Sequence, residues 1–237
     1  KDERHVLLSY YGRLNYSFDS RYMLTTTIRR DATSRFAKNV RWGTFPSVAL
    51  GWRVTEESFL KDNKVLSNLK LRASYGVTGQ QDGIGNYNYL PIYTQSQNGA
   101  EASMGNGYIH TYRPSSYVPD LKWETTTSWN VGFDFGFLKD RITGSFDYYT
   151  RQTKDLIATV PAAAGTTSDR NITTNVGNVD SQGIEFSINA TPVQTKDWNW
   201  DISFNMTWQK MKVKNLSLVA GAAATNTSVG PYIDSYQ

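Results

Sequence analysis

Apolar and polar residues alternate with a period of two along most of this chain, and the pattern recurs about eight times. From Trp198 to Trp208 one set reads Trp198, Trp200, Ile202, Phe204, Met206 and Trp208, and the other reads Asn199, Asp201, Ser203, Asn205 and Thr207. In an extended strand these two sets fall on opposite faces, whereas a helical repeat of about 3.6 would mix them around its circumference. The same rhythm runs over Ser128–Phe137, Ile142–Arg151, Ile184–Ala190 and Leu69–Thr78. Earlier strands are predicted at Leu8–Phe18, Tyr22–Arg30 and about Thr44–Val54. The third is weakened by Pro46, which has no N–H to give to a ladder.

The links between these segments alternate in length. Asp19–Arg21, Leu138–Asp140 and Val193–Asp197 are short enough for tight turns, and Thr55–Asn68 is expected to hold a short helix around Glu57–Asp62. At the opposite end the links are long: Asp31–Arg41, Gly79–Trp123, Thr153–Asn175 and the residues after Lys214. Short turns on one side and long loops on the other are the pattern of an outer-membrane barrel. Gly79–Trp123 far exceeds ordinary connections, which marks it as a functional loop.

A soluble sandwich also has one apolar and one polar face per strand, with Trp200 and Phe204 then in a central core. Two further features favour a membrane barrel. The apolar runs span about 9–11 residues, against about 5–6 for common strands. Tyr22, Trp52, Trp198 and Trp208 also sit near strand ends, where a lipid-facing aromatic girdle would place them. The polar faces carry Arg13, Arg29, Lys70, Arg72, Asp134, Asp147, Glu185 and Asp201. Such charges cannot enter an apolar interior unpaired, but they can line a wet channel or meet a polar plug.

Composition fits this reading. Apolar residues make up 39% and aromatics 14%, while mean hydropathy is −0.52. No segment approaches the ~20 apolar residues of a spanning helix, but a barrel strand needs only about 9–11 with alternating faces. The net charge of +4 is scattered rather than gathered in a patch, so nucleic acid is not an expected partner. With no cysteine there is no disulfide, thiolate metal site or cysteine nucleophile. Only His5 and His110 are available for imidazole chemistry, so neither a metal centre nor a cofactor is expected, and the chain is read as no enzyme. Gly83-Ile84-Gly85 and Gly105-Asn106-Gly107 do not join a strand to a helix, so they read as loop glycines. The carboxylate pair Glu56 and Glu57 falls on the short-turn side, away from any substrate mouth. The chain opens at Lys1 and ends in a Gly/Ala/Thr/Ser-rich stretch, and it is expected to be a segment of a larger protein.

Several blocks carry a family resemblance. Arg21–Phe36 (RYMLTTTIRRDATSRF), Arg41–Leu60 (RWGTFPSVALGWRVTEESFL) and Leu69–Tyr87 (LKLRASYGVTGQQDGIGNY) resemble the SusC/RagA family of TonB-linked outer-membrane proteins. Leu121–Ile157 and Asn175–Val193 are similar to further blocks of that family. The resemblance implies an all-β fold: about eight antiparallel transmembrane strands from a 22-stranded plugged barrel. Residues 1–237 would be one partial TonB-dependent receptor-type barrel domain, without plug or TonB box. It also implies import of oligosaccharides, or of peptides, across the outer membrane of Bacteroidetes, with a SusD-like lipoprotein lid and TonB as partners. A non-transport outer-membrane barrel, serving as adhesin or structural anchor, is the alternative. Within Gly79–Trp123, Tyr87, Tyr89, Tyr93, Tyr108 and Tyr112 stand among Asn, Gln, Ser and Gly. Aromatic faces stack on sugar rings and amides bond hydroxyls, so these tyrosines are the candidate ligand contacts or lid-interface residues.

Overall fold

The computed structural model describes residues 3–61, 63–95, 101–103, 105, 107–162, 169 and 171–214. Eight long strands form one antiparallel sheet: β1 (Leu7–Phe18), β2 (Tyr22–Thr33), β3 (Trp42–Arg53), β4 (Leu66–Gln80), β9 (Glu124–Phe137), β10 (Ile142–Lys154), β13 (Asn178–Gln194) and β14 (Asn199–Lys214). They neighbour one another in chain order, β1-β2-β3-β4-β9-β10-β13-β14. Among the described residues β1 and β14 are the two open edges and do not pair with each other. Six short strands lie in the long links and form three two-stranded pieces. β5 (Tyr93–Gln95) pairs with β8 (Tyr112–Pro114), β6 (Glu101–Ser103) with β7 (Tyr108–His110), and β11 (Ile157–Pro161) with β12 (Asn171–Asn175).

Register turns the alternation of each strand into a property of the whole sheet. Tyr16 faces Leu24, and the row continues through Leu50, Ala73, Val131, Tyr148 and Ile184 to Trp208. The next row on that face reads Phe18, Tyr22, Trp52, Leu71, Phe133, Phe146, Phe186 and Met206. Both rows are apolar at every position across eight strands. Yet among the described residues nothing covers them: Tyr16, Leu50 and Val131 are each more than half exposed. A single-residue slip at any pairing would send a whole strand's apolar set to the other face, so this continuity fixes the register.

The expected strands are all present, most of them longer than the alternation indicated. Pro46 lies inside β3 opposite Ile28 of β2, but the β3–β4 ladder begins only at Ser47–Gly76. The proline therefore stands where β3 has one hydrogen-bonded neighbour, the position its missing N–H tolerates. The short helix expected around Glu57–Asp62 does not form. Val54–Glu56 is a 3-10 turn, followed by one turn in which the Leu60 and Lys61 N–H groups both donate to Glu57 O at 2.9 Å. One such turn fixes several dihedrals for few bonds and does not propagate. Asp62 and the residues after Lys214 lie outside the described residues.

The tight turns use left-handed backbone. Asp19 and Ser20 have φ of 50° and 55°, the hand that matches strand twist in short hairpins. Leu138, Lys139 and Asp140 follow one another at 55°, 60° and 61°, an uncommon run for residues other than glycine.

Candidate functional site

The polar face is organised around Arg72. Its row reads Gly51, Arg72, Gly132, Asp147 and Glu185, one residue per strand from β3 to β13. The Arg72 guanidinium donates to both oxygens of Asp134, with Nε–Oδ2 at 3.0 Å and Nη2–Oδ1 at 2.8 Å. Its Nη2 also reaches Asp147 Oδ2 at 2.9 Å, although β9 lies between their strands. Gly132 is what lets them meet. A Cβ there would stand 2.4 Å from Asp147 Oδ1 and 2.6 Å from the Phe146 carbonyl oxygen. Lateral charge pairing of this kind keeps a carboxylate-rich wall compatible with its half-buried setting. Nearby, Tyr149 lies over Gly183, and the Arg151 guanidinium sits 5.0 Å from the Tyr149 ring centre.

At the short-turn end the aromatic rings stack in register. Phe18 and Tyr22 lie 6.4 Å apart at 28°, and Tyr22 and Trp52 lie 6.4 Å apart at 14°. Their polar tips converge on one carboxylate. Tyr22 Oη donates to Glu57 Oε1 at 2.5 Å, Trp52 Nε1 donates to the same oxygen at 3.0 Å, and Arg21 Nη1 donates to Oε2 at 3.1 Å. The hydrogen bond from Tyr22, then that from Trp52, with the Arg21 charge nearby, holds the Glu57 carboxyl below its ordinary range. Rings that are apolar on their flanks and satisfied at their tips suit a boundary between apolar and wet media. Glu57 is thus a clasp residue rather than half of a carboxylate pair.

The long-loop end is built differently. Phe36, Phe45, Ile84, Leu121 and Trp123 form a small buried cluster, with Phe36 and Leu121 fully enclosed. Trp123 meets Phe36 and Phe45 edge-on at 5.4 Å each, and its Nε1 donates to Arg41 O at 2.9 Å. The cluster ties the β2–β3 link to both ends of the Gly79–Trp123 stretch. The return limb of that stretch is bonded to the β11–β12 hairpin. Asn175 Oδ1 accepts from Lys122 N at 2.8 Å, Asn175 Nδ2 donates to Lys122 O at 2.9 Å, and Asp169 Oδ2 accepts from Ser116 N at 2.5 Å. That backbone hydrogen bond is the main reason the Asp169 carboxyl lies below its ordinary range.

The five candidate tyrosines do not form one group. Tyr87 and Tyr89 are half-buried near the base of the stretch, where the Arg4 backbone N–H donates to Tyr87 Oη at 3.3 Å. Tyr93 and Tyr112 are well exposed, at 66% and 65%, on β5 and β8. Tyr93 pairs with Pro114 and Gln95 with Tyr112, so both tyrosines lie on one face of that hairpin as diagonal neighbours. Tyr108 belongs to β7. Of the four girdle candidates, Tyr22 and Trp52 share a row at the short-turn end, and Trp198 directly precedes β14 at that same end. Trp208 lies inside β14 as the last apolar residue of its face before Lys210. Trp129, on the apolar face of the Ser128–Phe137 alternation, stands near that rim on β9 without being a girdle candidate, and the lysines beyond Trp208 were no candidates either. The switch from apolar to basic at fixed parity was the available signal. Among the described residues there is no group of three metal-ligating side chains.

A sheet with one exposed apolar face, open edges, tight turns at one end and long structured links at the other is a segment of a transmembrane β-barrel wall. The model of the TonB dependent receptor-like β-barrel family matches residues 3–235. The chain belongs to that family of outer-membrane receptors and transporters, and within it to the SusC/RagA group. It is 50% identical over 214 residues to the TonB-dependent receptor SusC of Bacteroides thetaiotaomicron, covering 90% of this chain and 21% of that protein. It is 38% identical to the TonB-dependent receptor P39 of Formosa agariphila, covering 90% of this chain and 20% of that one. Among solved structures it matches the RagAB peptide importer in its open-open state with a TM-score of 0.79 and 29% identity, over 90% of this chain and 22% of that chain. The chain thus spans about a fifth of the length of these relatives.

Proposed function

We propose that this chain forms part of the wall of an outer-membrane, TonB-dependent transporter that imports oligosaccharides beneath a SusD-like lipoprotein lid. The continuous apolar face, exposed over eight strands, carries the membrane part of this reading, because only lipid or detergent satisfies such a surface. Tyr22, Trp52, Trp198 and Trp208 then form parts of the aromatic girdles, and the Arg72 face lines the lumen. The long links lie outside the cell. Plug and TonB-contacting segments belong to other parts of the parent protein.

The oligosaccharide reading is supported by the tyrosines and amides of the 79–123 stretch and by the high identity to SusC. Peptide import is the second reading, favoured by the likeness to a solved peptide importer. Exposed Tyr93 and Tyr112 are the best placed for ring stacking or for the lid, and Tyr87 and Tyr89 are half-buried. Titration calorimetry of the intact transporter–lid complex with oligosaccharide and with peptide tests this. Each stacked ring is worth on the order of 1 kcal/mol, so Y93A or Y112A alone weakens glycan binding a few-fold. Y93A/Y112A should weaken it by about tenfold or more, and Y87A/Y89A/Y93A substantially. Unchanged glycan affinity in folded, lid-bound protein removes the 79–123 stretch from the site. Loss of the lid assigns it to the partner interface, and binding of peptide alone replaces the oligosaccharide.

A further inference from the structure

The apolar face does not run the full length of the strands. Toward the long-loop end it stops at Trp129 on β9, Tyr148 on β10, Ile184 on β13 and Trp208 on β14. Beyond that line the same parity continues with different chemistry. One row reads Trp129, Thr150, Gln182 and Lys210, and the next reads Thr127, Gln152, Asp180 and Lys212. Lys214 follows opposite Asn178. The residues of the two rows line an open groove of about 490 Å³ across β9, β10, β13 and β14. Two lysines, Lys210 and Lys212, line it with Arg151 against one carboxylate, Asp180, and that carboxylate is already engaged, since it pairs with the neighbouring Lys214 and accepts from Gln152 Nε2 at 3.3 Å. Lys210 and Lys212 have no ion-pair partner among the described residues. Lys210 stands opposite the neutral donor Gln182, and Lys212 stands opposite Asp180, whose carboxylate is held by Lys214.

We propose that this groove binds the phosphate-bearing headgroup of a glycolipid in the outer leaflet around the barrel, with Lys210 and Lys212 as the phosphate contacts. The inference rests on the reading that the apolar face meets lipid. Two observations select the occupant. The groove is continuous with the apolar belt, so a molecule whose chains lie along Val131, Ile184 and Trp208 brings its headgroup to the lysine level. Its excess of cationic over anionic side chains complements phosphate, which ammonium groups bind as point charges. The hydroxyl and amide groups between Trp129 and Lys210 suit the sugar that carries the phosphate.

The test uses the full-length transporter in nanodiscs of phosphatidylcholine, alone or with diphosphoryl or dephosphorylated lipid A. Diphosphoryl lipid A should be retained by the natural protein, and K210Q/K212Q should lower its apparent affinity by about thirtyfold, while K210R/K212R keeps it. Equal retention of the dephosphorylated lipid, or equal affinity in K210Q/K212Q, overturns the proposal. Displacement of the lipid by inorganic phosphate at matching concentration also overturns it, since that shows a site for a soluble anion. Brominated acyl chains separate this outcome from failure of the wall reading. If the Trp208 share of fluorescence, defined by W208F, is not quenched, the lipid-facing assignment falls and the headgroup site falls with it. Quenching without phosphate dependence removes the headgroup site alone.

Discussion

At the short-turn end of the wall the chain reverses within a few residues and leaves its aromatics at the surface. At the long-loop end it gathers Phe36, Phe45, Ile84, Leu121 and Trp123 into a core of their own. The difference follows from what each end must hold. A hairpin closed by Asp19 and Ser20 is fixed by its backbone and by the adjoining ladder, and needs no core. A stretch of more than forty residues loses far more conformational entropy on ordering, and only buried apolar area offsets that. The aromatic residues of the two ends therefore act in opposite ways. Tyr22 and Trp52 are anchored by their polar tips on Glu57, while Trp123 is anchored by its whole ring.

Trp123→Ala should give the largest effect. Removing a buried indole costs about 3–5 kcal/mol, and here the loss should stay local. Hydrogen exchange across residues 84–121 should accelerate while the Asp19–Arg21 turn keeps its protection. Uniform loss across the wall would show that the two ends are not separate units.

Gly132→Ala probes the middle, between the two ends. The new methyl meets backbone as well as Asp147, and overpacking of this kind costs about 1–3 kcal/mol. Urea unfolding in vesicles should shift by that amount, with both ends affected alike. No shift would mean that Arg72 and Asp147 can part without consequence.

Glu57→Gln tests the clasp by its pH dependence. Glu57 is held below its ordinary value of 4.5, so its contribution is present above that value and disappears as pH falls through the lower folded-state pKa. The natural protein should lose protection of the 53–61 turn in that acidic window, and E57Q should show no such step while leaving the Trp123 end untouched.

Lys139→Gly should give the smallest effect, a gain of about 0.4–1 kcal/mol. Glycine adopts a φ of 60° without the side-chain penalty, although its freer unfolded state takes back part of the relief. A loss of stability would show that the Lys139 side chain has a role in the turn.

The strands, their faces and the alternation of link lengths were legible because they depend on residues two apart along one chain. The Glu57 clasp was not, since Arg21 and Glu57 lie 36 positions apart and meet only once β2 and β3 pair. The expected helix around Glu57–Asp62 reduces to one turn on the Glu57 carbonyl, since so short a segment does not propagate. The tyrosines of the 79–123 stretch read as one aromatic set by composition. The nested pairings β5–β8 and β6–β7, and the burial of Tyr87 and Tyr89, separate them.

The amino-acid sequence alone thus determined that this chain makes long amphipathic strands with a wall's two faces, since strand geometry places neighbours at i and i+2 on one side whatever surrounds them. Only the tertiary structure decided which residues act together. Arg72 and Asp147, 75 positions apart, share one row because the three strands β4, β9 and β10 pair in a single register and Gly132 leaves the space between them open. Such a meeting depends on the cumulative register of several ladders, a quantity no local pattern contains.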